Sequence, residues 1–114
     1  MTFQYNIQKD LNINIISLDG ELIDKTQAAG LVQSIDELID QKELKFVFNL
    51  SALKYINSSG LNVLINILTK SRKAGGDVII INISKKVNDL FVMTKLNTVF
   101  TITDSLDKAI ARLK

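Results

Sequence analysis

The hydrophobic pattern of this chain switches repeatedly between a period of two residues and a helical period, and that alternation leaves few folds open. Phe3, Tyr5 and Ile7 alternate with Gln4, Asn6 and Gln8, the spacing of a half-buried strand. Lys9-Asp10 reads as a turn. Leu11, Ile13 and Ile15 resume the alternation on a run that continues through Ile16 and Leu18 to Asp19-Gly20, so a hairpin of two antiparallel strands is expected. Ala28, Leu31, Val32, Ile35, Leu38 and Ile39 then recur at helical spacing, with Asp24 or Thr26 placed to cap the helix. Leu44 to Leu50 is apolar and aromatic and reads as a central strand.

A second helix is expected from near Gly60. Leu61, Leu64, Ile65 and Leu68, widened by Val63 and Ile67, form its apolar stripe, and Asn62, Asn66, Thr69 and Lys73 a narrow polar one. Ala74-Gly75-Gly76 ends it, with Gly75 suited to a left-handed C-terminal position. Val78-Ile79-Ile80-Ile81 is a β-branched run typical of a strand buried on both faces of a parallel sheet. A third helix is expected from about Lys86 to Lys95 and a short strand from Val99 to Ile102. Thr103-Asp104-Ser105 caps a last helix, whose Leu106, Ala109, Ile110 and Leu113 share one face.

The order β-β-α-β-α-β-α-β-α implies an α/β fold. Its sheet is mostly parallel, with an N-terminal antiparallel hairpin and about four helices packed on it. The 114 residues fit one domain, 1–114. The residues that are missing narrow the chemistry. With no Cys and no His, the chain offers no thiolate nucleophile, no Ser-His-Asp triad and few metal ligands. No metal or other cofactor is expected. The lysines are scattered and the net charge is +2, which fits a solvated surface better than a nucleic-acid stripe. No apolar run approaches the roughly 18 residues of a membrane span. The N-terminus lacks the basic and apolar regions of a secretory signal, so a cytoplasmic location is expected.

The segment Asn57-Ser58-Ser59-Gly60-Leu61 stands where a strand hands over to a helix, a usual place for function in α/β sheets. Its local chemistry fits a plain helix cap, with Asn57 or Ser58 capping and Gly60 easing a tight backbone. A phosphate cradle is disfavoured because neither glycine-rich phosphate motif is present. A hydrolase would have to draw its base from Asp, Glu or Lys, and no G-x-S-x-G elbow exists.

The stretch Phe46-Val47-Phe48-Asn49-Leu50-Ser51-Ala52-Leu53-Lys54-Tyr55-Ile56-Asn57-Ser58-Ser59-Gly60-Leu61-Asn62-Val63-Leu64 resembles the signature of STAS domains, the fold of bacterial anti-sigma-factor antagonists. Gly20-Glu21-Leu22 resembles the Gly-x-Leu after that family's second strand, and the pattern from Val87 to Ala109 resembles its ending. The resemblance therefore spans essentially the whole chain and implies a single STAS-like domain that is not an enzyme. It implies phosphorylation at Ser59, with Ser58 as the alternative, by a partner that is both anti-sigma factor and serine kinase. The implied docking surface comprises Asp24, Asn57, Ser58, Ser59, Gly60 and Asn62. A monomer or weak dimer is expected, without nucleic-acid or membrane partners. The sequence departs from the family at Asn57 and Asn49, where Asp is usual, and at Ile23, with Asp24 one place later. A constitutive docking module and, behind it, a small-ligand sensor are the competing readings.

Overall fold

The computed structural model describes residues 2–113. Its strands are β1 (Phe3–Asp10), β2 (Ile13–Leu22), β3 (Lys45–Ile56), β4 (Asp77–Ile81) and β5 (Thr101–Thr103). Its α-helices are α1 (Ala29–Asp40), α2 (Ser58–Lys73), α3 (Lys85–Met93) and α4 (Leu106–Leu113). The five strands form one sheet in the order β1-β2-β3-β4-β5, with β1 antiparallel to β2 and the other neighbours parallel. This is the expected α/β architecture.

Because each strand lies beside its predecessor, right-handed crossovers carry α1, α2 and α3 to the same face of the sheet. Alternation within the strands then sorts the core. Ile16, Leu18, Phe46, Phe48, Val78 and Ile80 meet Leu31, Ile35, Leu64, Ile67, Val87 and Phe91 of those three helices. Ile13, Val47, Ile79 and Ile81 point the other way and meet Ala109 and Leu113 of α4. The β-branched run of β4 is thus buried on both sides, as its composition implies. Each fully buried Phe or Leu contributes about 1.5–3 kcal/mol. Phe91 and Phe100, with ring centroids 5.7 Å apart, fasten the segment before β5 to α3.

Several boundaries differ from the sequence reading. The hairpin turns at Leu11-Asn12 rather than Lys9-Asp10, since Asp10 already pairs with Ile13. Leu11 has φ +57 and is 73% exposed; a two-residue hairpin turn needs a left-handed backbone there whatever the side chain. β3 runs on to Ile56, past the Leu50 end expected from the sequence. It does so because β2 continues through Gly20 to Leu22, with register shifts on either side of the Asp19–Ala52 and Gly20–Leu53 pairs. Such irregularities break the two-residue alternation that marks a strand in sequence. β5 is confined to Thr101–Thr103, and Val99 and Phe100 precede it. A short 3₁₀ turn, Lys25–Ala28, introduces α1, and Asp24 caps it. Gly75, at φ +96, ends α2 as expected.

Candidate functional site

Parallel pairing brings Leu22, the last residue of β2, beside Ile56, the last of β3. The two loops that follow therefore leave the sheet together, and α2 begins between them. Asn57 is the cap of α2: its Oδ1 accepts from Gly60 N–H at 3.0 Å, and its carbonyl accepts from Leu61 N–H at 2.9 Å. The same side chain reaches across to the other loop, where Nδ2 donates to the Ile23 carbonyl at 2.9 Å. The Asn57 N–H donates to the Leu22 carbonyl at 3.3 Å.

The β2–α1 loop is held from its other side by Gln27. Gln27 Oε1 accepts from Ile23 N–H at 2.8 Å and Asp24 N–H at 3.0 Å, and its Nε2 donates to the Glu21 carbonyl at 3.2 Å. Asp24 Oδ1 in turn accepts from Thr26 N–H at 3.1 Å. Loop and helix start form one hydrogen-bonded unit.

Gly60 is buried, and a β-carbon on it would overlap the Leu22 carbonyl. Ser58 and Ser59 are exposed on the first turn of α2, and no hydrogen bond engages either hydroxyl among the described residues. They open on different clefts. Ser59 lines a cleft of about 330 Å³ with Asp24, Lys25, Asn62, Val63 and Asn66. Ser58 lines another, of about 400 Å³, with Asn57, Tyr55, Lys86, Leu90 and Met93 among its walls.

Of the residues singled out in the sequence, Asp24, Ser59 and Asn62 thus share one cleft, while Asn57 and Ser58 border the other and Gly60, buried against Leu22 and Ile56, lines neither. Lys25 and Asn66 complete the Ser59 cleft and were not singled out as site residues. Asn66 stands one turn beyond Asn62 on the polar stripe already visible in the sequence, and Lys25 adjoins Asp24. Tyr55, with Lys86 Nζ 5.4 Å from its ring centroid, and Met93, 79% exposed, were not singled out in the sequence, where a large apolar side chain carries no mark of exposure.

The first turn of α2 carries no acidic residue, and its last turn carries Lys70, Arg72 and Lys73. The positive end of the helix therefore has no counter-charge on its own first turn, which suits an incoming anion, while Asp24 and Lys25 supply one charge of each sign to the Ser59 cleft. Among the described residues no cluster of three or more potential metal ligands occurs, and no helix is long and apolar enough to cross a membrane.

Comparison with known proteins places this geometry in context. The family model for the STAS domain matches residues 4–109. The anti-sigma F factor antagonist of Paenibacillus polymyxa is 26% identical over 115 residues, covering 100% of this chain and 97% of that protein. An anti-sigma factor antagonist from Mycobacterium paratuberculosis superimposes with a TM-score of 0.82 at 22% identity, covering 98% of this chain and 94% of that one. The Bacillus cell-fate determinant SpoIIAA in its phosphorylated form gives 0.74 at 19% identity, over 97% and 100% of the two chains. SpoIIAA in its unphosphorylated form gives 0.75 at 20%, over 96% of each. The fold is matched about equally well in both states.

Proposed function

This chain belongs to the STAS domain family, and from that premise we propose that it is an anti-sigma-factor antagonist. It binds an anti-sigma factor that is also a serine kinase, is released when that kinase phosphorylates Ser59, and so regulates transcription indirectly. The observation that supports this reading best is the placement of Ser59: exposed, with its hydroxyl unengaged, on the first turn of a 16-residue helix and beside the Asp24–Lys25 wall of a cleft.

In the transfer, Ser59 Oγ attacks the terminal phosphorus of the partner's ATP, its proton passes to a base on the partner, and ADP leaves. The chain itself binds and orients. Asn57 uses the Gly60 N–H, so the preceding amides of Ser58 and Ser59 remain at the open end of the helix. A phosphoserine carries about −1.5 to −2 charges. In the free protein that charge is accommodated by the helix N-terminus and Lys25. Within a docked interface it adds charge and bulk beside Asp24. Losing about 3 kcal/mol of binding changes the equilibrium more than a hundredfold. On this reading the chain is not itself an enzyme, needs no cofactor, and works in the cytoplasm as a monomer or weak dimer, with Asp24, Ser59 and Asn62 nearest the partner.

The test is incubation with ATP and the cognate kinase, followed by mass measurement. One phosphate should be gained, Ser59→Ala should gain none while still binding, and Ser59→Asp should bind weakly. A Ser59→Ala protein that still takes up the phosphate sinks the site assignment. A second reading, constitutive docking, is favoured by the uncharged Asn57, which is committed to two backbone groups. It requires binding that neither ATP nor Ser59→Asp alters.

A further inference from the structure

We propose that β1 is a self-pairing edge, along which two copies of this chain join antiparallel, about a two-fold axis at Asn6, into one continuous sheet. No β1 residue lines the Ser59 cleft, so the pairing stands or falls independently of phosphorylation. β1 ends the sheet and pairs only with β2 among the described residues. Its register is unbroken from Phe3–Gly20 to Asp10–Ile13, so no bulge twists the edge away, and the strand holds no proline. Bulges and prolines are the devices that ordinarily blunt an exposed edge.

The parity of the hairpin decides which backbone groups are free. The two-residue turn closes on Asp10 and Ile13, and Glu21 N–H donates to the Thr2 carbonyl at 3.0 Å. Hydrogen-bonded pairs alternate along an antiparallel ladder, so the even-numbered residues commit their backbone groups to β2. Phe3, Tyr5, Ile7 and Lys9 turn theirs outward. With the axis at Asn6, Phe3 meets Lys9 and Tyr5 meets Ile7 of the other copy, and every outward N–H and C=O finds a partner. An axis at Tyr5 leaves Lys9 unmatched, and one at Ile7 leaves Phe3 unmatched. The side chains agree with the Asn6 register. Tyr5, 36% exposed, lies beside a half-buried Ile7, exposed Gln4 faces exposed Gln8, and neither Lys9 nor Asp10 meets a like charge. β5 is only three residues long and cannot match β1, so the pairing closes as a two-fold dimer rather than a filament. One strand pair buries well under the roughly 1,200 Å² of a stable interface, which makes the dimer weak.

Sedimentation equilibrium of the full chain, without ATP or kinase, should show the mass rising from one chain toward two between about 10 µM and about 1 mM. A mass that stays at one chain overturns the inference. Gln4→Lys combined with Gln8→Lys sets like charges directly opposite across the axis and should hold the mass at one chain. Mixing that variant with Gln4→Glu combined with Gln8→Glu should restore the dimer, and a lysine variant that still doubles overturns the pairing. The chain has no Cys, so an introduced one reads the register. The two Asn6 positions form a non-hydrogen-bonded pair with Cα atoms about 4.5 Å apart, within reach of a disulfide. Asn6→Cys should therefore cross-link at least about tenfold faster than Gln4→Cys or Gln8→Cys alone, while those two mixed should cross-link to each other. Equal rates at all three positions overturn the register. A wild type that stays a single chain while the lysine variant binds the anti-sigma kinase more weakly gives the edge to the partner, and self-pairing falls.

Discussion

Gly60 lies so close to the Leu22 carbonyl that a β-carbon would overlap it, and that carbon would also sit 2.6 Å from Ile56 Cγ1. The first turn of α2 is thereby seated between the ends of β2 and β3. Ser59 stands on the rim because the residue after it is pressed into the sheet.

Gly60→Ala should accordingly destabilise the protein. In an open helix the change would gain about 1 kcal/mol. Here the obstructing atom is backbone, which cannot rotate away, and overpacking of this kind costs about 1–3 kcal/mol. Gly75→Ala offers the contrast: its β-carbon meets nothing within 4 Å, but φ is +96, a strain of about 1–2 kcal/mol for a residue with a side chain. Urea unfolding should show a loss in both. Only Gly60→Ala should also shift the NMR signals of Ser59 and Leu22.

Leu11 gives a change in the opposite direction. It holds φ +57 in the hairpin turn with its side chain 73% exposed, so it carries backbone strain and buries little. Asn tolerates that backbone region. Leu11→Asn should raise stability by roughly 0.5–1 kcal/mol, a fraction of the left-handed penalty, seen as a higher urea midpoint with an unchanged slope.

That turn also marks where the sequence was legible and where it was not. Regular burial shows through: the helices and β4 follow from period and composition, because a face that must be covered repeats its apolar residues. Leu11 continued the alternation in sequence, yet the chain had already reversed. Leu53 and Ile56 are both buried in β3, but their three-residue spacing across a shifted register hides the strand. At the site, the cap was readable because Asn57 and Gly60 are neighbours in sequence. The bond from Asn57 to Ile23 spans 34 residues, and no local pattern encodes a contact made by two strands ending side by side.

Glu43 should make stability depend on pH. Its carboxylate accepts from Lys9 Nζ at 2.7 Å and from the buried Asn14 Nδ2 at 3.3 Å, and these bonds, Lys9 first, hold its pKa below the ordinary glutamate value. With the folded value depressed, the unfolded chain binds the proton more readily. The contribution is therefore complete above the ordinary pKa and is lost as pH falls through the folded one. Asp104, lowered by Lys108, acts in the same direction. Glu43→Gln keeps an acceptor for Asn14 but cannot ionise. Urea midpoints followed from pH 7 to pH 3 should fall less in Glu43→Gln than in wild type, and about 1 M salt should narrow the difference.

Ser58 and Ser59 provide the sharpest test of which cleft receives the partner. Successive residues of a helix point about 100° apart, and these two open on opposite sides of the α2 start, Ser59 toward Asp24 and Lys25 and Ser58 toward Tyr55, Lys86 and Met93. An aspartate at either position lies in the first turn of a helix that has no acidic residue there, and such a charge stabilises a helix by about 0.3–1 kcal/mol. Neither variant should unfold, so a change in binding reports on the interface. Calorimetry with the anti-sigma kinase should show at least a hundredfold loss for Ser59→Asp and less than threefold for Ser58→Asp. Equal losses would mean that the partner covers both clefts, and a loss confined to Ser58→Asp would move the docking surface to the α3 side.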